Sequence, residues 1–371
     1  MSQTGSINSL PTTAVAFPEV SIVIPCLNEE GSLEECVQKV RAAFQGMTHE
    51  IIVADNGSTD KSKEIAHRAN ARVVEERRRG YGSAILCGMR EARGEFVVVG
   101  DADNTYDFED GRMLVNLLKE RNADFGIGNR IGGKVDEGAM PWLHKHLGTP
   151  VLSFVLSRFF GCRVHDINCG LRAIRRTKLQ ELKLRSPGME FASEMVIHAQ
   201  KAGLKFAEAP IRYYRRHHGQ AKLRTFRDGW RHLRFILLCA PFPLYFLPAL
   251  ALIVASVFLY QQERLGLQVM ASLLTTAAFQ LIVFAAFAKA YLWIADSFML
   301  DRRAGKFLAR FKLEHGILMG LACGLGGILF VQKFDLANLI RGSTLLALAV
   351  QIIFSSFFLS TILSKGSRDT L

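Results

Sequence analysis

FVVVGDADNTYDFED, residues Phe96 to Asp110, is the stretch whose reading decides the fold. Four apolar residues, Phe96-Val97-Val98-Val99, lead directly into Asp101 and Asp103. A short continuous apolar run closed by glycine and acids reads as a buried strand. Two like charges one residue apart raise each other's pKa unless a positive charge lies between them. A divalent cation meets that need, which makes Asp101 and Asp103 the candidate metal ligands. Carboxylate oxygens are hard donors, so the expected ion is Mg2+ or Mn2+.

Working back toward the N-terminus, the same device recurs. VSIVIPCLNEE predicts a strand over Val20–Ile24, ended by Pro25 and followed by the polar turn Asn28-Glu29-Glu30. A helix then starts at Ser32, with Glu35 completing a capping box. HEIIVADNGSTD predicts a strand over Glu50–Ala54 that exits into Asp55 and Asn56, and a further strand over Arg72–Glu75 precedes RRRGYGSAILCG. In that segment Gly80 and Gly88 read as turn and packing glycines, and Gly82 as a glycine at the ligand. Strands alternating with helical patterns predict an α/β fold with a mostly parallel sheet. Ligands of such sheets bind at the carboxyl ends of the strands. Here those ends present Asn28 and Glu29, then Asp55 and Asn56, then Asp101 and Asp103.

Forward of the quoted stretch the chain changes character. It has 371 residues and a net charge of +12, and beyond about Arg234 charges thin out while apolar runs dominate. Four runs, roughly 235–257, 271–294, 314–332 and 342–363, each approach the ~20 residues that cross a bilayer as a helix. Between the second and third lie Arg302, Arg303, Lys306, Arg310 and Lys312 against Asp301 alone. Positive loops stay inside, so a multi-pass membrane protein is expected with its N-terminal domain and its tail at 364–371 on the cytoplasmic side. Lys289 and Asp296, seven apart, share a face of the second run, placed either to snorkel or to meet a lipid headgroup. Residues 1–18 read as a loose Ser/Thr-rich tail rather than a signal peptide. The seven cysteines form no CxxC pair, as expected of reduced thiols, and none of the ten histidines has zinc-site spacing.

SIVIPCLNEE, IIVADNGSTD, GYGSA and VVVGDADNTYD, in that order, resemble the nucleotide-sugar half of the family 2 glycosyltransferases of the GT-A fold. GNR, HDINCGLRAIRR, GMEFASEM and RRHHGQAKLR are similar to the polyprenyl-phosphate branch, which includes dolichyl-phosphate mannose synthase. The resemblance spans about residues 20–225. It implies a GT-A catalytic domain over 19–221, with Pro25, Asn28, Glu29, Asp55, Asn56, Gly82, Asp101 and Ala102 at the donor and the metal on Asp101 and Asp103. Cys26-Leu27 stands where Thr-Tyr is frequent, Asn56 where a second Asp is usual, and Ala221 where the family has Ser. The base of a UDP- or GDP-hexose donor is left open by these departures.

The segment 211–234, IRYYRRHHGQAKLRTFRDGWRHLR, holds eight Lys or Arg and one acid, Asp228. Arg224, Arg227, Arg231 and Arg234 recur every three or four residues, and with Trp230 they predict an interfacial amphipathic helix over 222–234. Arg216 and Lys222 fall in the part that resembles the family's acceptor loop. With Arg130, and more weakly Lys145, they are the candidates for holding an acceptor phosphate. Asp166 and Glu194 are candidates for positioning a sugar hydroxyl or a basic residue such as Arg172, or for structural pairing. The expected catalytic set is Asp103, Arg130 and Arg216. The expected reaction is inverting hexosyl transfer to a polyprenyl phosphate, dolichyl or undecaprenyl. Alternatives are another lipid or polysaccharide acceptor, or a non-catalytic membrane scaffold. The expected partners are nucleotide sugar, lipid phosphate and membrane, not nucleic acid; a homo-oligomer is left open.

Overall fold

The computed structural model describes residues 17–219, 225–295, 312–333 and 335–366. Lys222, Arg224, Asp296 and the basic loop from Asp301 to Arg310 lie outside them. The chain forms two units: one made of residues up to Ser157 with Cys162–His232, the other of Arg158–Gly161 with the residues from Leu233 onward.

The first unit is built on a seven-stranded sheet in the order β3-β2-β1-β4-β6-β5-β7. The strands are β1 (Val20–Cys26), β2 (His49–Asp55), β3 (Arg72–Glu75), β4 (Phe96–Val99), β5 (Phe125–Val135), β6 (Arg172–Arg175) and β7 (Phe206–Tyr213). β1 pairs in parallel with both β2 and β4, and β6 runs against both β4 and β5. The helices are α1 (Leu33–Ala43), α2 (Ser62–Arg68), α3 (Tyr81–Glu91), α4 (Phe108–Glu120), α5 (Thr149–Phe160), α6 (Arg176–Leu179) and α7 (Phe191–Lys201). In α1, Leu33, Cys36, Val37 and Val40 are buried, the i, i+3, i+4 spacing of a helix face turned to a core. The quoted stretch is a strand as read, with all four residues of β4 buried.

Two local expectations are corrected. Pro25 does not end β1, which continues to Cys26 with Pro25 opposite Ala54 of β2. The Val23 carbonyl accepts from Gly100 N on the β4 side, so by alternation Pro25 faces that side too, past the last β4 pairing at Val99. Its missing N–H has no ladder to break there. Ser32 precedes α1 but makes no side-chain cap. Its hydroxyl turns back to Glu29, while Glu35 accepts from Asn104 Nδ2 at 3.0 Å and pairs with Lys39 at 2.8 Å. The capping box is lost because both its members have better partners.

Chain order matters for the site. β1, β2 and β3 step outward on one side, and β4 returns to the other side of β1. The carboxyl ends of β1 and β4 therefore flank a topological switch point, where open α/β sheets place their ligands. An isolated bridge pairs Tyr106 with Tyr213, and Tyr214 N donates to Thr105 O at 2.8 Å. That clip brings the chain leaving β7 back over the end of β4.

Helix α8 (Thr225–Cys239) leaves the first unit. Asp228 and His232 are buried, whereas Arg227, Trp230 and Arg231 are exposed, with Arg231 Nη1 3.5 Å from Asp228 Oδ1. Among its described residues the second unit contains four helices long and apolar enough to cross a bilayer: α9 (Pro241–Tyr260), α10 (Leu265–Ala295), α11 (Leu313–Val331) and α12 (Leu336–Gly366). Close approach of α11 to α12 is set by glycine: a Cβ at Gly327 would lie 2.9 Å from Gly342 O, and one at Gly320 2.4 Å from Ile353 Cγ1. Small residues of this kind let membrane helices approach backbone to backbone.

Burial and the charge of Arg172 push His232 down to about 4, against the opposing pull of Asp228. Its Nδ1 lies 2.9 Å from the Ser193 hydroxyl of α7. The folded form holds a neutral imidazole, so this stabilisation is complete above the ordinary value near 6.5 and falls as pH drops from there toward 4. Protection from hydrogen exchange across Thr225–His232, corrected for the intrinsic rate at each pH, should fall as pH is lowered from 7 to 4.5 in the wild type. His232→Gln should flatten that response, and an equal loss of protection in both would refute the role of His232.

Candidate active site

The three polar strand exits predicted from sequence do meet at one edge of the sheet. Asn56 N donates to Cys26 O at 2.9 Å, Asn28 N to the Ser58 hydroxyl at 3.0 Å, and Glu29 N to the Ser62 hydroxyl at 2.9 Å. Asn28 adopts a left-handed φ of 52° and accepts from Thr59 N at 2.8 Å, tying the first turn to the second. Asparagine tolerates that backbone better than most residues. Buried Asp55 accepts from Gly57 N at 3.0 Å and Ser58 N at 3.1 Å, a turn closed by its own carboxylate.

Asn56 has a role that the sequence did not reveal. Its Nδ2 donates to Glu76 O at 3.0 Å and to Arg78 O at 2.9 Å, and its Oδ1 accepts from Gly80 N at 2.7 Å. The amide fastens the loop between β3 and α3, which accounts for the departure from Asp: an ionised carboxylate has no donors. Gly82 has a packing reason to be glycine. A Cβ there would lie 2.2 Å from Ser186 O and 2.7 Å from Phe191 Cβ. Pro25 and buried Ala102 keep to the strand ends on either side of the switch point.

At the end of β4 the two carboxylates are held differently. Asp101 Oδ1 accepts from the Tyr81 hydroxyl at 2.9 Å. Burial, and then the charge of Asp103, push the Asp101 carboxyl well above the usual carboxylate range. Asp103 Oδ1 accepts from Thr105 N at 3.1 Å and from its hydroxyl at 2.6 Å, while Oδ2 accepts from Arg216 Nε at 3.0 Å and Nη2 at 2.5 Å. Arg216 Nη2 also reaches Glu29 Oε1 at 3.4 Å. Tyr81 and Thr105 were missed as site residues. Tyr81 lay inside the quoted GYGSA, and Thr105 sits two residues after Asp103, the spacing of an Asx turn.

Arg130 lies at a bulge between β5 and β7, where the register shifts between Asn129 and Lys134. Its Nε and Nη2 hold Asp166 Oδ2 and Oδ1 at 2.7 and 2.9 Å, and its ring-facing side stacks over Tyr213 at 5.1 Å. Asp166 is fully buried, and Glu208 fixes its loop by accepting from the backbone of His165 at 2.9 Å and of Asp166 at 3.2 Å. Of the alternatives for Asp166, the structure shows pairing with a basic residue, and that residue is Arg130 rather than Arg172. Arg172 instead donates to the carbonyls of Ile167, Cys169 and Ala192 at 2.7, 2.8 and 2.9 Å. Glu194 accepts from the backbone of Arg185 at 3.0 Å and Ser186 at 2.9 Å, which makes it a clamp on that loop. Lys145 sits half-buried on the π-helical turn His144–Gly148, and Lys222 is outside the described residues. The structure thus brings Arg216, Glu29, Asp101 and Asp103 together, and sets Arg130 with Asp166 in a pair of its own.

The donor chemistry fits a divalent ion that the protein holds only in part. Asp101 and Asp103 are hard oxygen ligands, the buried Asp101 is short of compensating charge, and Asp103 already accepts a cation in the form of Arg216. Among the described residues no group of three or more His, Cys, Asp or Glu could cage a metal. One or two carboxylates completed by phosphate oxygens and water is the usual arrangement for Mg2+.

An open α/β sheet with two carboxylates at its switch point defines a class of protein that receives its ligand at the carboxyl ends of the strands. Residues 21–183 match the family described as Glycosyl transferase family 2. The low-salt glycan biosynthesis hexosyltransferase Agl6 of Haloferax volcanii is 37% identical over 93% of this chain and 89% of its own length. The chain belongs to that family and is a glycosyltransferase. A dolichyl-phosphate hexose transferase of the same organism is 29% identical over 58% of this chain and 92% of its own. Among solved structures, glucosyl-3-phosphoglycerate synthase from Mycobacterium tuberculosis, in complex with Mn2+, uridine-diphosphate and glucosyl-3-phosphoglycerate, aligns at a TM-score of 0.47 with 23% identity. That alignment covers 59% of this chain and 79% of that one.

Asn56→Asp should lower thermal stability by about 1–3 kcal/mol, since it removes two donors and sets a carboxylate against two carbonyls. A melting curve of the purified chain checks it, and an unchanged midpoint would refute the clamp. Asp166→Ala should be more severe, about 3–5 kcal/mol, because it strands a buried guanidinium.

Proposed function

We propose that the chain transfers a hexosyl group, with inversion, from a nucleoside diphosphate sugar to the phosphate of a polyprenyl lipid at the cytoplasmic membrane face. The observation that carries this reading is the meeting of Arg216 with Asp103, at 2.5 Å, in a chain that also has four membrane-length helices. A cation suited to a lipid phosphate and a seat suited to a metal-borne diphosphate are then neighbours. The similarity to a dolichyl-phosphate hexose transferase supports the choice of acceptor.

Bound at Asp103 and Asp101, Mg2+ or Mn2+ would supply Lewis-acid stabilisation of the charge that grows on the leaving diphosphate. The protein's own residues do the rest by position. Asp55, Asn28 and Glu29 line the donor side of the switch point, and Tyr81 and Thr105 hold the two carboxylates in place. Arg216, with Lys222 six positions on in the sequence, would orient the acceptor phosphate; Arg130, locked on Asp166, contributes fixed positive charge that is felt by both Asp101 and His144. A phosphate is ionised at neutral pH, so its oxygen can attack the anomeric carbon without a dedicated base. Catalysis then rests on positioning and electrostatics.

Two surfaces of the first unit support a lipid-side placement. Trp142, Leu147, Val151 and Phe154 are exposed along the segment leading through α5, and Trp230 is exposed beside Arg227 and Arg231 on α8. Aromatic and aliphatic side chains flanked by cations suit the headgroup boundary.

The test is a transfer assay on membranes carrying the chain, with labelled UDP- and GDP-hexoses, added polyprenyl phosphate and organic extraction. Label should pass to the organic phase with one donor, stop with a chelator, and fall roughly a hundredfold or more in Asp103→Ala. Transfer that survives both chelation and Asp103→Ala would overturn the metal role. Label confined to a water-soluble polymer would overturn the acceptor.

A further inference from the structure

Both oxygens of Asp103 are taken, by partners of different permanence. Oδ1 belongs to Thr105, whose backbone N–H and hydroxyl hold it at 3.1 and 2.6 Å within the same turn. Oδ2 belongs to Arg216, a residue 113 positions away on the segment that follows β7. Thr105 cannot let go without unwinding the strand exit, but Arg216 reaches in from a side chain that is 21% exposed. Any divalent ion that binds Asp103 therefore needs the oxygen that Arg216 holds. Two cations cannot share that lone-pair position at bonding distance without strong repulsion.

We propose that Arg216 is the resident counter-ion of the metal seat, and that the metal enters by exchange with it. Resting on the metal reading above, the inference adds an order of events. The ion, arriving with its diphosphate, takes Asp103 Oδ2, and the guanidinium swings off. Glu29, already 3.4 Å from Arg216 Nη2, gives the departing arginine a partial anchor. The freed fork then faces an incoming phosphate, for which its planar geometry is suited. Donor binding thus prepares the acceptor site, and an acceptor phosphate cannot claim Arg216 while Asp103 holds it.

Mn2+ alone, titrated into the full-length chain in lipid nanodiscs with free ion counted by electron paramagnetic resonance, tests this without turnover. Arg216→Gln should bind Mn2+ about tenfold more tightly than wild type, the scale of one charged hydrogen-bonded pair. Lys63→Gln, which removes a nearby cation 3.5 Å from Asp55 rather than one on Asp103, should change affinity by less than about twofold. Mn2+ should also raise hydrogen exchange over Tyr214–Gly219 in the wild type. Equal or weaker binding by Arg216→Gln, or a gain no larger than that of Lys63→Gln, would overturn the exchange while leaving the metal reading intact. Failure of wild type and Arg216→Gln alike to bind Mn2+ both alone and with UDP added, or binding that persists in Asp103→Asn, would instead remove the metal reading and the exchange with it.

Discussion

Placing two carboxylates at the mouth of one buried strand is the constraint from which the rest of the first unit follows. Asp101 and Asp103 leave β4 beside the end of β1 because the strand order reverses there. Their mutual repulsion must be met by donors or cations, and each neighbouring element supplies one. Helix α3 opens with Tyr81, whose hydroxyl serves Asp101, and the turn after β4 returns Thr105 to Asp103. The chain leaving β7 is clipped to Thr105 and so carries Arg216 to the same place.

The arginines of this unit show how one side chain does three kinds of work. Arg172 is buried, is pulled below its usual range by that burial, and spends its donors on backbone carbonyls, joining the Ile167–Cys169 loop to α7. Arg130 is buried too but meets a fully buried carboxylate in a two-pronged pair, which suits a fixed element of the electrostatic field. Arg216, half-buried and on an irregular segment, is the one placed to exchange partners. Burial and the identity of the partner separate these roles; residue type alone does not.

Much of this was legible in the chain itself. The strands over Arg72–Glu75 and Phe96–Val99 form as read, and the membrane runs are helical, the first of them starting at Pro241 rather than at 235 because α8 runs on to Cys239; continuous apolar runs and period-3.6 faces are local signals. The three polar strand exits were legible for the same reason: each lies next to the strand that positions it. Pairings over long separations were not. Arg130 finds Asp166 across 36 positions, and Asn56 fastens a loop more than 20 residues on; no spacing rule connects them. The capping box at Ser32 failed for a related reason, since Glu35 was drawn to Asn104, 69 residues distant. The packing at Gly82 was not legible because a glycine kept for packing and one kept for a ligand look the same in sequence. The Ser186 carbonyl lying against it shows the packing.

The most direct check on the central claim is anomalous scattering at the manganese edge from crystals grown with Mn2+ and UDP. The account predicts a peak at coordination distance from Asp103, with the Arg216 guanidinium displaced from that carboxylate. Density that leaves Arg216 on Asp103, with manganese elsewhere or absent from the strand ends, would contradict it.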